Sequence, residues 1–335
     1  MATVRLNRLP EMCNIEFIQL DPLVSLKVIK HCHEEGAGTT DIAQGVLLGL
    51  VVENRLEITN CFPFPRHTDE EDFDEVEYQM EMMRHLRQVN IDHLHVGWYQ
   101  STYYGGYLNK TLLDSQFSYQ NSIEESVVLI YDPLRTARGF LSLKAFRLTP
   151  AMMQLYRDGE FSPESVRNAK ITFGSMFEEL KIVMKNSHMV NVLCCELSEN
   201  IPEEKGNQFL NLATGSVLEK HLRSLMDCVD EQVQETNKLA NFLRSSAKQQ
   251  QAKQQYLHKR EQDNNARVSR GEAALPEEEL TKLFKPIPAP GRLDSLLYSG
   301  QITSYCQQIA QFATQSLGKL FISEGFQRKS DNAIN

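Results

Sequence analysis

The pattern of apolar residues changes near residue 198, and this change restricts the possible folds of the chain more than any other feature. Residues 14–197 mix short apolar runs with amphipathic segments, whereas later residues show mainly long helical periodicity. Intermingled strands and helices predict an α/β domain with a central β-sheet flanked by helices, and helical periodicity alone predicts a helical region. We therefore predict an N-terminal tail (1–13), an α/β domain (14–197) and a C-terminal helical arm (198–335).

Residues 45–52 are predicted to form a strand. Their V-L-L-G-L-V-V run is apolar on both faces and so belongs at the centre of a sheet. Residues 55–62 follow Glu53-Asn54, and this arrangement predicts a β-hairpin. Further strands are predicted at residues 15–20, 93–99, 127–131 and 139–148. Helical periodicity predicts helices at residues 23–33, 73–89 and 111–120.

The arm begins with a predicted amphipathic helix at residues 217–243. Large apolar side chains recur there at alternating four- and three-residue steps at Leu218, Leu222, Leu225 and Val229. The row resumes at Leu239 and Leu243 after the polar Gln232 and Thr236. Residues 245–270 favour a helix but have no apolar face, which predicts a polar helix projecting into solvent. Residues 285–292 (K-P-I-P-A-P-G-R) form a Pro-rich linker. A final amphipathic helix carries Ile302, Ile309, Phe312 and Leu320.

The two apolar stripes of the arm leave two alternatives open. The helices could close on each other as a hairpin, or they could enter a bundle shared with other chains. Because little companion chain is available to bury both stripes, the sequence favours the shared bundle. The ten apolar residues named above are therefore the candidate partner-binding residues.

Composition argues against several functional classes. A net charge of −9 disfavours a broad phosphate-binding surface, although it permits a local basic strip. Seven scattered cysteines without a CxxC pair predict reduced, buried thiols, including the vicinal pair Cys194 and Cys195. No apolar run is long enough to cross a bilayer and no signal-peptide core is evident, so we expect a cytoplasmic protein without a membrane partner.

Chemical motifs are sparse, since no Gly-rich phosphate loop, GxSxG elbow or HExxH helix occurs. His93 and His95 share a spacing that metal ligands also use, but we expect them to pack at a strand–helix face. A tyrosine cluster surrounds Gly105-Gly106 and comprises Tyr99, Tyr103, Tyr104 and Tyr107. It is compatible with loop packing or with partner contact, and protein contact is favoured over nucleic acid.

The segment V-G-W-Y-Q-S-T at residues 96–102 resembles the signature of the MPN domain. In the metalloprotease branch of that family the strand ends in His-Ser-His-Pro, and a following helix supplies an aspartate. The resemblance implies that the three ligand positions hold Gln100, Thr102 and Leu113 here, and that the base position holds Leu50. A hydrolytic zinc ion needs three protein ligands and a base, and these residues are unsuitable. The resemblance therefore implies no metal, no cofactor and no metallo-deubiquitinase activity.

A wider set of segments resembles the h-type family among the subunits of eukaryotic translation initiation factor three, including residues 44–65, 72–84, 90–105, 124–133, 141–150 and 275–286. This resemblance implies a non-catalytic structural subunit of a cytosolic complex that supports recruitment of mRNA to the small ribosomal subunit. It also implies a second MPN protein (the f subunit) and helical-bundle subunits as partners, an indirect link to the ribosome, and an open question about mRNA contact. The alternative is a non-catalytic MPN scaffold or ubiquitin-related binding subunit of another lid-type complex.

Overall fold

The computed structural model describes residues 15–35, 42–64, 75–90, 94–137, 141–199, 211–271 and 283–334. The predicted N-terminal tail and His93 lie outside these ranges. The strands within them are β1 (Phe17–Leu20), β2 (Gln44–Val52), β3 (Arg55–Pro63), β4 (His95–Ser101), β5 (Val127–Tyr131), β6 (Leu143–Leu148) and β7 (Phe177–Met184). Their order is β1-β3-β2-β4-β5-β6-β7, and β1 also pairs with β7, so the sheet closes into a barrel.

The α-helices within the same ranges are α1 (Pro22–Glu35), α2 (Glu75–Gln88), α3 (Lys110–Ser122), α4 (Pro133–Thr136), α5 (Pro150–Asp158), α6 (Pro163–Asn168), α7 (His188–Glu199), α8 (Glu219–Ser269) and α9 (Leu293–Ile334). A π-helical turn (Thr214–Leu218) precedes α8. Helix α1 packs against β3, and α3 packs against β5 and β6. The predicted α/β domain followed by a helical arm is confirmed.

The β2–β3 hairpin shows why the apolar run of β2 is buried. β2 lies between β3 and β4 and pairs antiparallel with both, as predicted for a central strand. Glu53 has φ 55° in the two-residue turn, the left-handed conformation that matches the twist of a tight hairpin. One face of β2 enters the main core through Leu47, and the other carries Val46 and Leu48, which pack with Phe62.

The two long arm helices form an antiparallel hairpin, the alternative that the sequence favoured less. Gln232 of α8 donates to the Ser295 hydroxyl of α9 at 3.1 Å. The start of α9 also packs on the domain, because Leu293 and Leu297 share an apolar cluster with Met152. The arm therefore contributes to the core of the domain, and the proposed domain end at residue 197 omits part of that core.

The prediction of buried thiols is only partly correct. Cys32 and Cys61 are buried, and burial raises the pKa of each thiol to about 12. Cys194 and Cys195 are exposed, so the prediction for this pair is wrong. The physical reason is that α7, which carries both residues, has no buried residue.

Candidate functional site

Two of the residues at the positions where the resemblance implies metal ligands, Gln100 and Thr102, lie together where β4 ends. The Gln100 side chain is buried, and its carbonyl oxygen accepts from the Gln44 amide at 3.3 Å. Thr102 is also buried, and its backbone N–H donates to the Tyr131 carbonyl at 2.8 Å. The hydroxyl of Thr102 has no hydrogen-bond partner among the described residues. This pair offers only neutral oxygens, which are weak ligands for zinc.

Leu113, at the position where the resemblance implies the third ligand, is fully buried in the apolar cluster of Leu148 and Met152. The neighbouring carboxylate does not substitute for it, because Asp114 accepts a hydrogen bond from the Tyr156 hydroxyl. Burial, with a smaller contribution from Asp114, raises the pKa of Tyr156 to about 12. Within the described residues, no group of three or more His, Cys, Asp or Glu side chains could hold a metal ion.

Leu50 does not occupy the position of a catalytic base, so this residue-level prediction is wrong. The β2–β4 register places Gln44 opposite Gln100, whereas Leu50 pairs with Glu57 on β3, beyond the last residue that β2 pairs with β4. Six residues of strand separate Leu50 from Gln44, which corresponds to about 20 Å. The β2 residues nearest the ligand positions are Gln44, Gly45 and Val46, and none of them is an acid.

The loop that follows β4 is covered by α9. The Gln301 side chain accepts from the Leu108 N–H at 2.9 Å and donates to the Gly105 carbonyl at 2.6 Å. Gln308 lies directly over Gly105, where a Cβ atom would be 2.0 Å from its Nε2. The hydroxyl of Tyr305 comes within 3.0 Å of the corresponding point at Gly106. This face of the domain is therefore an intramolecular docking site for α9.

Helix α8 covers the same loop at Tyr104. Lys220 donates to the Tyr104 hydroxyl at 2.9 Å, and the His221 ring meets the Tyr104 ring edge-on at 5.8 Å. Tyr107 stacks on Phe146 with 5.6 Å between ring centroids. Tyr99 points into the core and forms a 2.9 Å hydrogen bond with His31. Tyr99, Tyr104 and Tyr107 therefore follow the loop-packing alternative, with α8 of the same chain as one of the packing elements.

A small polar cavity of about 50 Å³ remains between the loop and α9. Its lining includes Thr102, Asp132, Arg135, Gln308 and Gln311. Arg135 donates to the side-chain Oε1 of Gln311 at 2.5 Å and so closes one side of the cavity. Because each water needs about 10–15 Å³ of such volume, the cavity has room for a few waters and is too small for a peptide.

His95 occupies the strand–helix position that the sequence predicted. Its ring meets Tyr119 of α3 edge-on at 5.2 Å, and its Nε2 lies 2.8 Å from the Gly97 carbonyl oxygen. Burial lowers the pKa of His95, and the hydrogen bond to Gly97 opposes that shift to a smaller extent. A half-buried histidine with these contacts serves packing between β4 and α3.

The ten candidate partner-binding residues fall into three groups. Phe312 is buried against its own chain, which leaves it unsuited to contact a partner. Half-buried positions are Leu218, Leu225, Leu239, Ile302 and Ile309. Exposed positions are Leu222, Val229, Leu243 and Leu320. The hairpin therefore uses part of the predicted stripes and leaves the other part on the surface.

Comparison with known proteins identifies the family. A family described as the C-terminal region of eIF3h matches residues 136–332, and a family described as JAB1/Mov34/MPN/PAD-1 ubiquitin protease matches residues 14–125. The H subunit of eukaryotic translation initiation factor 3 from Nematostella vectensis is 58% identical over 333 residues, which cover 99% of this chain and 100% of the relative. The chain belongs to the H-subunit family of this factor.

Other members of the H-subunit family have a similar sequence identity to this chain. The protein from Xenopus tropicalis is 57% identical, over 93% of each chain, and the protein from Aedes aegypti is 52% identical, over 99% of each chain. Membership makes the chain a component of translation initiation factor 3 with an MPN domain. None of the helices within the described ranges combines the length and hydrophobicity that a bilayer-spanning segment requires.

Sequence analysis missed several exposed apolar residues of the arm. On α8 they are Met226 and Val233, and on α9 they are Phe321, Ile322 and Phe326. Met226 and Val233 continue the spacing of Leu222 and Val229, so helical periodicity could have placed them on the same apolar face. The exposed residues could not be separated from the packed ones without knowing which face α9 covers.

Helix α7 presents a second apolar surface that sequence analysis missed. Its 12 residues include no buried one, and Met189, Val192, Leu193 and Leu197 are all more than half exposed. Two apolar residues of α1, Leu23 and Leu26, are also exposed. Exposed apolar side chains at this density make α7 a candidate docking surface.

Proposed function

We propose that the chain is a non-catalytic structural subunit of translation initiation factor 3, acting in the cytoplasm by binding alone. In this role it supports recruitment of mRNA to the small ribosomal subunit through the other subunits of the factor. The observation that carries the proposal is the row of apolar side chains left exposed on the outer faces of α8 and α9. Contiguous exposed apolar patches on soluble proteins mark interaction sites.

The MPN domain supports a non-catalytic role through the residues at its degenerate metal position. Gln100 and Thr102 offer neutral oxygens, and Leu113 is a core residue. The adjacent loop is covered by Gln301 and Gln308 of α9. The same cover argues against the alternative of a ubiquitin-related binding site at this face.

The exposed face of α8 has the geometry of a bundle surface. Leu222, Met226, Val229 and Val233 follow an i, i+4, i+7, i+11 spacing, and 40% to 65% of each residue is exposed. His221 and Glu235, which lie more than 100° around the helix from the centre of this row, are buried. A helix with apolar residues outside its own hairpin contact has a second face available for a partner helix.

The second half of α9 extends this surface. Phe312 is the last buried residue described along α9, and Leu317, Leu320, Phe321 and Phe326 beyond it are each more than half exposed. Large apolar side chains at this density favour burial between helices. We therefore assign the helical-bundle subunits of the factor to this end of the hairpin.

The test is recovery of partner subunits by an affinity-tagged chain carrying Leu222→Asp and Met226→Asp. Both residues are exposed, so the hairpin itself tolerates the change, whereas Leu225 is half-buried within it. Burial of two such side chains contributes about 3–6 kcal/mol, so binding weakens by about 10²–10⁴-fold. The control variant Gln234→Asp, Asn241→Asp adds the same charge at exposed polar positions of α8. Equal recovery by both variants would contradict the proposed bundle surface.

We assign the second MPN protein of the factor, its f subunit, to the α7 surface. The supporting observation is the exposure of Leu193 and Leu197 on a helix without buried residues. Leu193→Asp, Leu197→Asp should remove the f subunit from affinity-purified material and leave the helical-bundle subunits bound. Asn191→Asp, Ser198→Asp on the same helix is the matched control. Loss of the f subunit in both variants, or in neither, would contradict the assignment.

A further inference from the structure

The last part of α8 carries a concentrated positive charge in an acidic protein. Residues 244–270 contain seven lysine and arginine residues and two acidic residues, whereas the whole chain has a net charge of −9. Helix α8 continues unbroken through this segment to Ser269. The segment lies beyond Gln232 and Glu235, which face α9 in the hairpin, and so projects away from it.

Four of the basic residues form a stripe along this segment. Arg244, Lys248, Lys259 and Arg270 are all exposed. At 100° per residue they fall within an arc of about 80°, and they span about 39 Å along the helix axis. Within the described part of the chain, none of the four forms a salt bridge. The acidic Asp263 lies at one edge of the arc.

The remaining sides of this segment differ from the basic stripe. Gln249 donates to the Lys285 carbonyl at 2.6 Å, and the Tyr256 ring meets Phe284 at 6.0 Å, so the returning linker covers that side. The exposed apolar residues Leu257 and Val268 lie on another side, more than 100° from the centre of the stripe. The stripe itself contains only basic side chains, amides and alanine between them.

We propose that this stripe, Arg244, Lys248, Lys259 and Arg270, binds the phosphate backbone of RNA without sequence preference. A row of cations on one helix face complements a polyanion and is the electrostatic footprint of nucleic-acid binding. A protein partner would favour aromatic or apolar anchors, and the stripe has none. The inference deepens the proposed function, because it adds a direct RNA contact to a subunit otherwise assigned to assembly.

The test measures binding of a fluorescein-labelled oligouridylate of about 24 nucleotides to the full chain by anisotropy between 50 and 200 mM salt. Four phosphate contacts on a single strand give a slope of about −3 in log K against log salt, or about 50-fold weaker binding across this range. Lys248→Gln, Lys259→Gln should halve the slope, so that binding weakens only about sevenfold. The control Lys30→Gln, Lys185→Gln removes two exposed lysines from the MPN domain and should leave the slope unchanged.

Two results would overturn the RNA assignment. Equal salt slopes for the stripe variant and the wild type would exclude the stripe as the contact. Binding of polyglutamate of similar length as tightly as oligouridylate, with the same loss in the variant, would reassign the stripe to an acidic protein surface. The variant Leu222→Asp, Met226→Asp should retain full RNA binding, so failure of the assembly proposal and failure of this one are distinguishable.

Discussion

Gln308 of α9 lies directly over Gly105 in the loop that follows β4. Gly105 has φ +76°, and a Cβ atom at this position would be 2.0 Å from Gln308 Nε2. A side chain at Gly105 is therefore disfavoured both by its backbone conformation and by the helix above it. The contact shows that the loop after β4 holds the C-terminal helix in this chain.

Gly105→Ala should lower the free energy of unfolding by about 2 kcal/mol, from backbone strain together with displacement of Gln308. Gly159→Ala is the matched control, because Gly159 has φ +69° and nothing within 4 Å of its Cβ position. Gly159→Ala should lower the free energy of unfolding by about 1 kcal/mol, from backbone strain alone. Urea unfolding followed by fluorescence of Trp98, the single, buried tryptophan, measures both. In a Gln308→Ala background, Gly105→Ala should lower the free energy of unfolding only as much as Gly159→Ala does. If Gly105→Ala lowers it as much as in the wild-type background, the contact with Gln308 does not contribute.

Gln301→Ala should undock α9 from the loop. The change leaves the Leu108 N–H and the Gly105 carbonyl without their side-chain partner, and each lost bond to a buried group costs about 1–3 kcal/mol. We expect faster proteolytic cleavage within the linker at residues 285–292 and a lower midpoint of urea unfolding. Gln307→Ala, at an exposed position of the same helix, should do neither. Wild-type cleavage rates in Gln301→Ala would show that the docking does not depend on this side chain.

Stability should fall with pH below neutrality because of His95. Burial lowers its folded-state pKa from the ordinary value of 6.5, so the unfolded chain takes up a proton first as pH falls. The stabilising contribution is therefore present above pH 6.5 and is lost as pH falls towards the folded pKa. His95→Gln keeps a donor for the Gly97 carbonyl and should flatten the pH dependence of the unfolding free energy between pH 7 and 5. The exposed His188→Gln is the control, and an identical slope in His95→Gln and wild type would contradict this account.

Restoring the ligand residues should not restore a metal site. In the variant Gln100→His, Thr102→His, Leu113→Asp, the new carboxylate would lie in the apolar cluster around Leu148 and Met152. Placing an uncompensated charge there should cost more than about 3 kcal/mol. We expect a destabilised protein without zinc affinity in calorimetric titration. Stoichiometric zinc binding with an unchanged unfolding midpoint would show that the site remains competent.

Much of the domain was predictable because the local sequence of apolar and polar residues indicates which strands are buried. The apolar run of β2 and the polar Glu53-Asn54 turn specify a central strand and its hairpin, and both are confirmed. The position of Leu50 was not predictable in this way, because its distance from Gln100 depends on the register between β2 and β4. Register follows from pairing across the sheet, which spacing along one strand does not reveal.

In the arm, the sequence predicted the apolar face of each helix but not which part of that face is buried. Helical period identified Leu222 and Val229 as apolar-face residues, but Leu225 and Phe312 turn towards the hairpin contact while Leu222 stays exposed. Which side of an amphipathic helix meets its own chain depends on the docking of α9 on Gly105 and Gly106. Cys194 and Cys195 were misjudged for the same reason, since an apolar run indicates burial somewhere but not within the same chain.

We propose that this protein works by binding and not by hydrolysis. Metal analysis of the purified full chain, together with incubation with a ubiquitin dimer beside an active MPN metalloprotease, tests this proposal. We expect substoichiometric zinc and no isopeptide cleavage. One zinc per chain with chelator-sensitive cleavage of the dimer would contradict it.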